Sequence, residues 1–215
     1  LLELAKTKKV KGYLLFSSCD VYGTPRVDGL INENAFGHMD TLDIHNCYSE
    51  SKRMAETMCR AFWVQHQVPV RIARIAHTYA PTMDIQNDPR VFASFVKNIA
   101  AGEDIVLKSE GNQYFSYIYV GDAVSAMLHL LIHGQNGEAY NISNDSFDLH
   151  LKELAQKLAE ISGKQVIFEL PDAIEQQGFS KANTAILNNE KIKDTGWFPI
   201  FSLEESLKHT VQLVK

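Results

Sequence analysis

Hydrophobic positions along the chain fall into two alternating rhythms. Short apolar runs of strand length occur over residues 13–16 and 70–76, the latter interrupted by Arg71 and Arg74, and over 117–120 and 138–142. A half-buried alternating run follows over 165–170. Runs of this length bounded by turn formers suit strands of a largely parallel sheet. Between them the apolar spacing lengthens to three or four residues, the period of helices. A helix is predicted over about 47–67, with Lys52, Ala55, Cys59 and Phe62 on one stripe and Arg53, Glu56 and Arg60 on another. A second covers about 90–101 and stops at Gly102, a favourable residue just past a helix end. A third opens at Gly121 with Asp122 as its N-cap and Val124, Leu128 and Leu131 facing inward. Asp148 caps a fourth, whose Leu151, Leu154, Leu158 and Ile161 are core-spaced before Gly163. Ser202-Leu203-Glu204-Glu205 is a capping-box start for a last helix along Leu207, Val211 and Val214. Residues 1–6 read as the tail of a helix, and 104–107 as a short strand.

The polar stretches punctuate this order. Gly23, Pro25, Gly29 and Gly37 break any period up to about residue 43, so that span reads as a loop. Pro81 and Pro89 bracket another, residues 109–112 form a turn, and 171–185 have too little periodicity to assign. Strands alternating with helices predict an α/β protein, a mainly parallel sheet with helices on both faces, with the excursions forming a smaller lobe.

Composition narrows the function. The chain has 215 residues, 45% hydrophobic and 22% charged, which suits one large or two small globular domains. A net charge of −5, with one basic cluster at Lys6, Lys8, Lys9 and Lys11, argues against nucleic acid or an anionic membrane as partner. No apolar run is long enough to span a bilayer and no signal peptide is visible, so a cytoplasmic protein is expected. Cys19, Cys47 and Cys59 form no C-x-x-C and read as reduced thiols; Cys19 is either a nucleophile or a small residue filling the end of a strand. His129 and His133 have ligand-like spacing, but with no accompanying Glu they read as surface histidines, and no metal site is expected.

The chemistry concentrates in Phe16-Ser17-Ser18-Cys19-Asp20-Val21-Tyr22-Gly23 and Tyr48-Ser49-Glu50-Ser51-Lys52. On a helix, Tyr48 and Lys52 share one face, which sets an ammonium beside a phenol and favours the phenolate. Such a tyrosine can take a proton from a sugar or alcohol hydroxyl while hydride leaves the same carbon, and Ser18 is the hydroxyl that would hold the oxygen. Ser17 to Asp20 fall at the carboxyl end of the first strand, the edge at which open α/β sheets bind ligands.

These two stretches together resemble the extended short-chain dehydrogenase/reductases, the NAD-dependent epimerase/dehydratase family acting on nucleotide sugars. Residues 52–59 and 70–83 are most similar to its UDP-glucuronate decarboxylase and dTDP-glucose 4,6-dehydratase branch. The resemblance runs from Leu1 to about Asn144 and returns weakly at 195–199. It implies NAD as cofactor and the C-terminal part of a Rossmann-type doubly wound sheet with a small α/β substrate-binding lobe. The implied divisions are 1–80 and 116–145 in the Rossmann domain, 81–115 as an excursion, and 146–215 as the C-terminal lobe.

The resemblance also implies roles. Tyr48 is the acid/base and Lys52 its partner and a ribose contact. Asp20 stands where relatives carry a Glu, either assisting at the neighbouring carbon or accepting loop amides. Ser17, Ala76 and Arg90 join Tyr48 and Lys52 at the cofactor; Ser18, Cys19, His77 and Phe115 contact substrate. The long Tyr/Lys helix, with Phe62, Trp63 and Val64, implies a homodimer. Four features depart from the pattern. The glycine-rich dinucleotide turn is absent, Gly134 to Gly137 being only a turn before a strand, so activity is expected to need an N-terminal half preceding Leu1. His77 replaces an Asn, Ala80 and Thr82 replace a Gly and an Arg, and Phe115 replaces an anion-gripping Arg. The leading expectation is an NAD-dependent epimerase, dehydratase or decarboxylase; the alternative is a non-catalytic scaffold or ligand-binding relative.

Overall fold

The structure, a computed structural model, describes residues 1–23, 29–169 and 184–214. Helix α1 (Leu2–Lys8) leads into β1 (Tyr13–Ser18), and a 3-10 turn over Cys19–Tyr22 follows. Strand β2 (Leu30–Ile31) precedes α2 (Cys47–His66), β3 (Val70–Ile75), β4 (His77–Tyr79) and α3 (Val91–Ala100). Next come β5 (Ile105–Leu107), β6 (Tyr114–Tyr119), α4 (Val120–His133), β7 (Ala139–Ile142), β8 (Asp148–His150) and α5 (Leu151–Ser162). The chain ends with β9 (Val166–Phe168), β10 (Thr184–Leu187), α6 (Glu190–Lys193) and α7 (Leu203–Leu213).

Three strands form a parallel sheet in the order β1-β3-β7. Its middle strand carries Val70, Ile72 and Ala73 at 4% exposure or less, as expected of a strand covered on both faces. A second sheet runs β2-β10-β6-β4 in parallel, with β8 antiparallel on β6, and β5 pairs β9. The α/β architecture and largely parallel pairing follow the sequence expectation. The loop assigned up to residue 43 does contain β2, which exists through its pairing with β10 at Ile186 and Leu187. Of the unassigned 171–185, only the start of β10 lies within the described residues.

Three helix assignments are corrected. Asp122 is not the cap of α4, which starts at Val120; it is fully buried and accepts from the Ile200 amide at 2.9 Å. The same helix buries Ala123, Ala126 and Leu130, leaving Val124, Leu128 and Leu131 at 45%, 59% and 38% exposure. Apolar residues surround most of this helix, and the small alanines decide which side can approach the sheet. Asp148 belongs to β8, and α5 is capped by His150 with Glu153 in a reciprocal capping box.

Three apolar clusters form the core. One gathers Phe95, Ile105, Leu107, Phe147, Leu154, Leu158 and Leu207, so the excursion at 81–115 and the C-terminal segment share one core. A second lies beneath the main sheet around Ile118, Leu130, Tyr140, Ile142 and Trp197. The third holds α1 and α2 against β1 and β3 through Ala5, Cys59, Val70 and Ile72, with Phe62 and Trp63 packed on it. Those two aromatics therefore face inward, whereas Val64 is 60% exposed. Among the described residues no helix is long and apolar enough to cross a membrane.

Candidate active site

Strand β1 delivers Ser17 and Ser18 to the carboxyl edge of the sheet, in register with Arg74 and Ile75 of β3. The chain then turns at once. Ser18 Oγ accepts from the Asp20 amide at 3.2 Å and donates to Asp20 Oδ2 at 3.1 Å, which caps the 3-10 turn and fixes both side chains together. Gly23 closes this turn at φ +68°, where an added Cβ would lie 2.5 Å from the His38 carbonyl oxygen.

Helix α2 crosses this edge and presents Tyr48 and Lys52. The Lys52 ammonium donates to the Phe16 carbonyl of β1 at 2.7 Å and sits 5.5 Å from the centre of the Tyr48 ring. The cation and phenol thus share one face, as the four-residue spacing demands. Tyr48 is half exposed, open to a ligand. Arg90, at the N-terminal border of α3, forms a fork with Asp88: Nε reaches Oδ1 at 2.9 Å and Oδ2 at 3.0 Å, and Nη2 reaches Oδ2 at 2.5 Å. The hydrogen bonds and charge of Asp88 hold the guanidinium more firmly protonated. In turn Arg90 holds the Asp88 carboxyl below its ordinary range.

The remaining expected residues sort into two groups. His77 and Phe115 meet, with ring centres 4.7 Å apart, and line one cavity with Arg90. Ser17, Ala76 and Cys19 turn into the protein. Ser17 Oγ donates to Glu56 Oε1 at 2.5 Å, the Ala76 amide donates to Ile142 O at 2.9 Å, and Cys19 is 3% exposed within the second apolar cluster. A filler at the strand end is the role that packing gives Cys19. Cys19, Cys47 and Cys59 form no disulfide with one another. His129 donates to or accepts from Thr195 Oγ1 at 3.0 Å, and no metal-ligating cluster occurs among the described residues.

Beneath the edge lies a buried polar network that local pattern reading missed. Arg74 forms an ion pair with Glu56 of α2, Nη2 to Oε2 at 2.7 Å, and donates to Tyr22 Oη at 3.1 Å and to Glu33 O at 2.7 Å. Tyr22 Oη donates to Asn141 Oδ1 at 2.5 Å. Burial alone would weaken the Arg74 cation, but Glu56 outweighs it and the guanidinium is held strongly protonated. Burial likewise pushes the Tyr22 phenol up to about 12, against the pull of Arg74. The signal was present: an arginine inside a buried strand requires a carboxylate partner, and Glu56 is one turn beyond Lys52. The network joins Ser17, α2 and β3, which are the elements that carry Ser18, Tyr48 and Lys52.

Known proteins are similar to this chain in sequence and in fold. The chain is 33% identical over 213 residues to UDP-glucuronic acid decarboxylase 1 of Danio rerio, covering 99% of this chain and 49% of that protein. It is also 33% identical over 213 residues to UDP-glucuronic acid decarboxylase 6 of Arabidopsis thaliana, covering 96% of this chain and 58% of the relative. The chain spans about half the length of these curated relatives. Among solved structures, UDP-glucose 4-epimerase of Thermotoga maritima with UDP-glucose superimposes with a TM-score of 0.85 at 28% identity, over 99% of this chain and 66% of that one. Residues 1–143 match the model of the NAD dependent epimerase/dehydratase family, to which this chain therefore belongs.

Proposed function

We propose that the protein is an NAD-dependent nucleotide-sugar epimerase, dehydratase or decarboxylase that works by transient oxidation of a sugar carbon. The observation that carries this reading is the shared face of Tyr48 and Lys52 set against the carboxyl end of β1. Tyr48 takes the proton of a sugar hydroxyl, Lys52 sets its ammonium on the same face, and Ser18 holds the sugar oxygen by a hydrogen bond. Asp20, tied to Ser18, is the carboxylate nearest in sequence for proton movement at an adjoining carbon. Bound NAD would accept the hydride that leaves the sugar carbon. The residues fit that group: Lys52 spends one N–H on Phe16 O and keeps two donors for ribose hydroxyls. Residues 1–80 and 116–145 serve the cofactor side of the site, and 81–115 with 146–215 the sugar side.

The test is Tyr48→Phe in the full-length protein. Turnover of nucleotide sugar should vanish while NAD binding and the melting temperature persist; unchanged turnover would refute the assignment. Binding of neither NAD nor any UDP- or dTDP-sugar would instead favour the scaffold alternative.

A further inference from the structure

A cavity of about 200 Å³ lies between β4, the start of α3, β6 and the start of α5. It is smaller than the ~300–1,000 Å³ typical of sites for drug-sized ligands, and so suits a single ring. The cavity opens beside the carboxyl edge of β1: His77, on its wall, is two residues beyond Ile75, the register partner of Ser18. Much of the wall is aromatic. His77 is 4.7 Å from Phe115 and 5.8 Å from Tyr117 between ring centres, and Phe92 stacks on Tyr79 at 4.8 Å.

Arg90 is the one cation among the described lining residues, and its fork is already filled by Asp88, whose side chain is only 12% exposed. The remaining Nη1 donates to the Thr78 carbonyl at 3.3 Å. A carboxylate brought into this space would exchange water for largely aromatic walls and meet a guanidinium whose charge Asp88 already balances. An uncharged ring loses far less hydration and can lay its C–H face on those rings.

We propose that Phe115, His77 and the Asp88-capped Arg90 are specificity-determining residues that select a sugar ring without a carboxylate, a neutral hexose or deoxyhexose of a nucleotide sugar, over a uronic acid. This rests on the nucleotide-sugar reading above and departs from the substrate named in the decarboxylase relatives.

The experiment is calorimetric titration of the full-length protein, with NAD present, by UDP-glucose, dTDP-glucose and UDP-glucuronate. At least one neutral sugar nucleotide should bind about tenfold more tightly than UDP-glucuronate. Asp88→Asn, which removes the charge that balances Arg90, should narrow that ratio, as should Phe115→Arg where it folds. Tighter binding of UDP-glucuronate by the native protein, or a ratio unmoved by Asp88→Asn, overturns the selectivity while leaving the nucleotide-sugar reading intact. Binding of none of the three overturns both.

Discussion

At the scale of single residues, side chains are assigned their work by what surrounds them. Asp148 sits in β8 against Ser116, which donates to its Oδ1 at 2.6 Å. Burial pushes its carboxyl up to about 6, Asp145 adds to this, and Ser116 opposes it. A carboxyl raised above its usual ~4 contributes fully to stability only below that pH, and the contribution is lost as pH rises through about 6. Asp148→Asn keeps the acceptor and removes the charge. It should stabilise the protein by about 1 kcal/mol near neutral pH, after allowance for partial solvent screening. The gain should disappear at about pH 4, as denaturant melts at the two pH values would record. At Tyr48 the proposed role rests on geometry, the Lys52 ammonium 5.5 Å from the ring centre and a half-exposed phenol, and on that proposal Tyr48→Phe is expected to abolish turnover by removing one atom.

Elements are held in place by the pair that crosses between them. Glu56 and Arg74 have side chains 11% and 10% exposed, and together they lock α2 onto β3 with Ser17 as a third member. Removing one partner leaves a buried charge without compensation, at a cost of about 3–5 kcal/mol. Arg74→Met and Glu56→Leu should each lower stability by that order, and the double variant should recover much of the loss in chemical denaturation. If the double variant were as unstable as the sum of the singles, the pair would not be the coupling element. Helix assignments failed where this scale prevailed over pattern: α4 turns its alanines inward and Asp122 is drawn to the Ile200 amide.

For the whole molecule, the outer side of α2 bears on assembly. Met54, Met58 and Val64 are 62%, 48% and 60% exposed, while Phe62 and Trp63, expected at an interface, pack inward. We propose that two copies pair through this exposed side, burying apolar surface that water otherwise meets. The full-length protein should then have a dimeric mass at micromolar concentration, and Met58→Lys should shift it toward monomer; a monomeric native mass would refute the pairing. The cavity beside Arg90 also belongs to this scale, since β4, α3, β6 and α5 each lend it a wall and it exists only once the excursion at 81–115 and the C-terminal segment share a core.

Sequence alone was sufficient for whatever depends on near neighbours. The Tyr48–Lys52 face, the place of Ser17 to Asp20 at the end of β1, the parallel α/β order and the end of α5 at Gly163 follow from spacing and backbone preference, which act over a few residues. Contacts between distant residues were decided only by folding: β2 on β10, Arg74 on Glu56 and Tyr22, His77 on Phe115, and which side of α4 meets the sheet. A period records that a helix has an apolar side. Which residues from elsewhere in the chain arrive to cover that side, or to neutralise a buried charge, is fixed by the three-dimensional path.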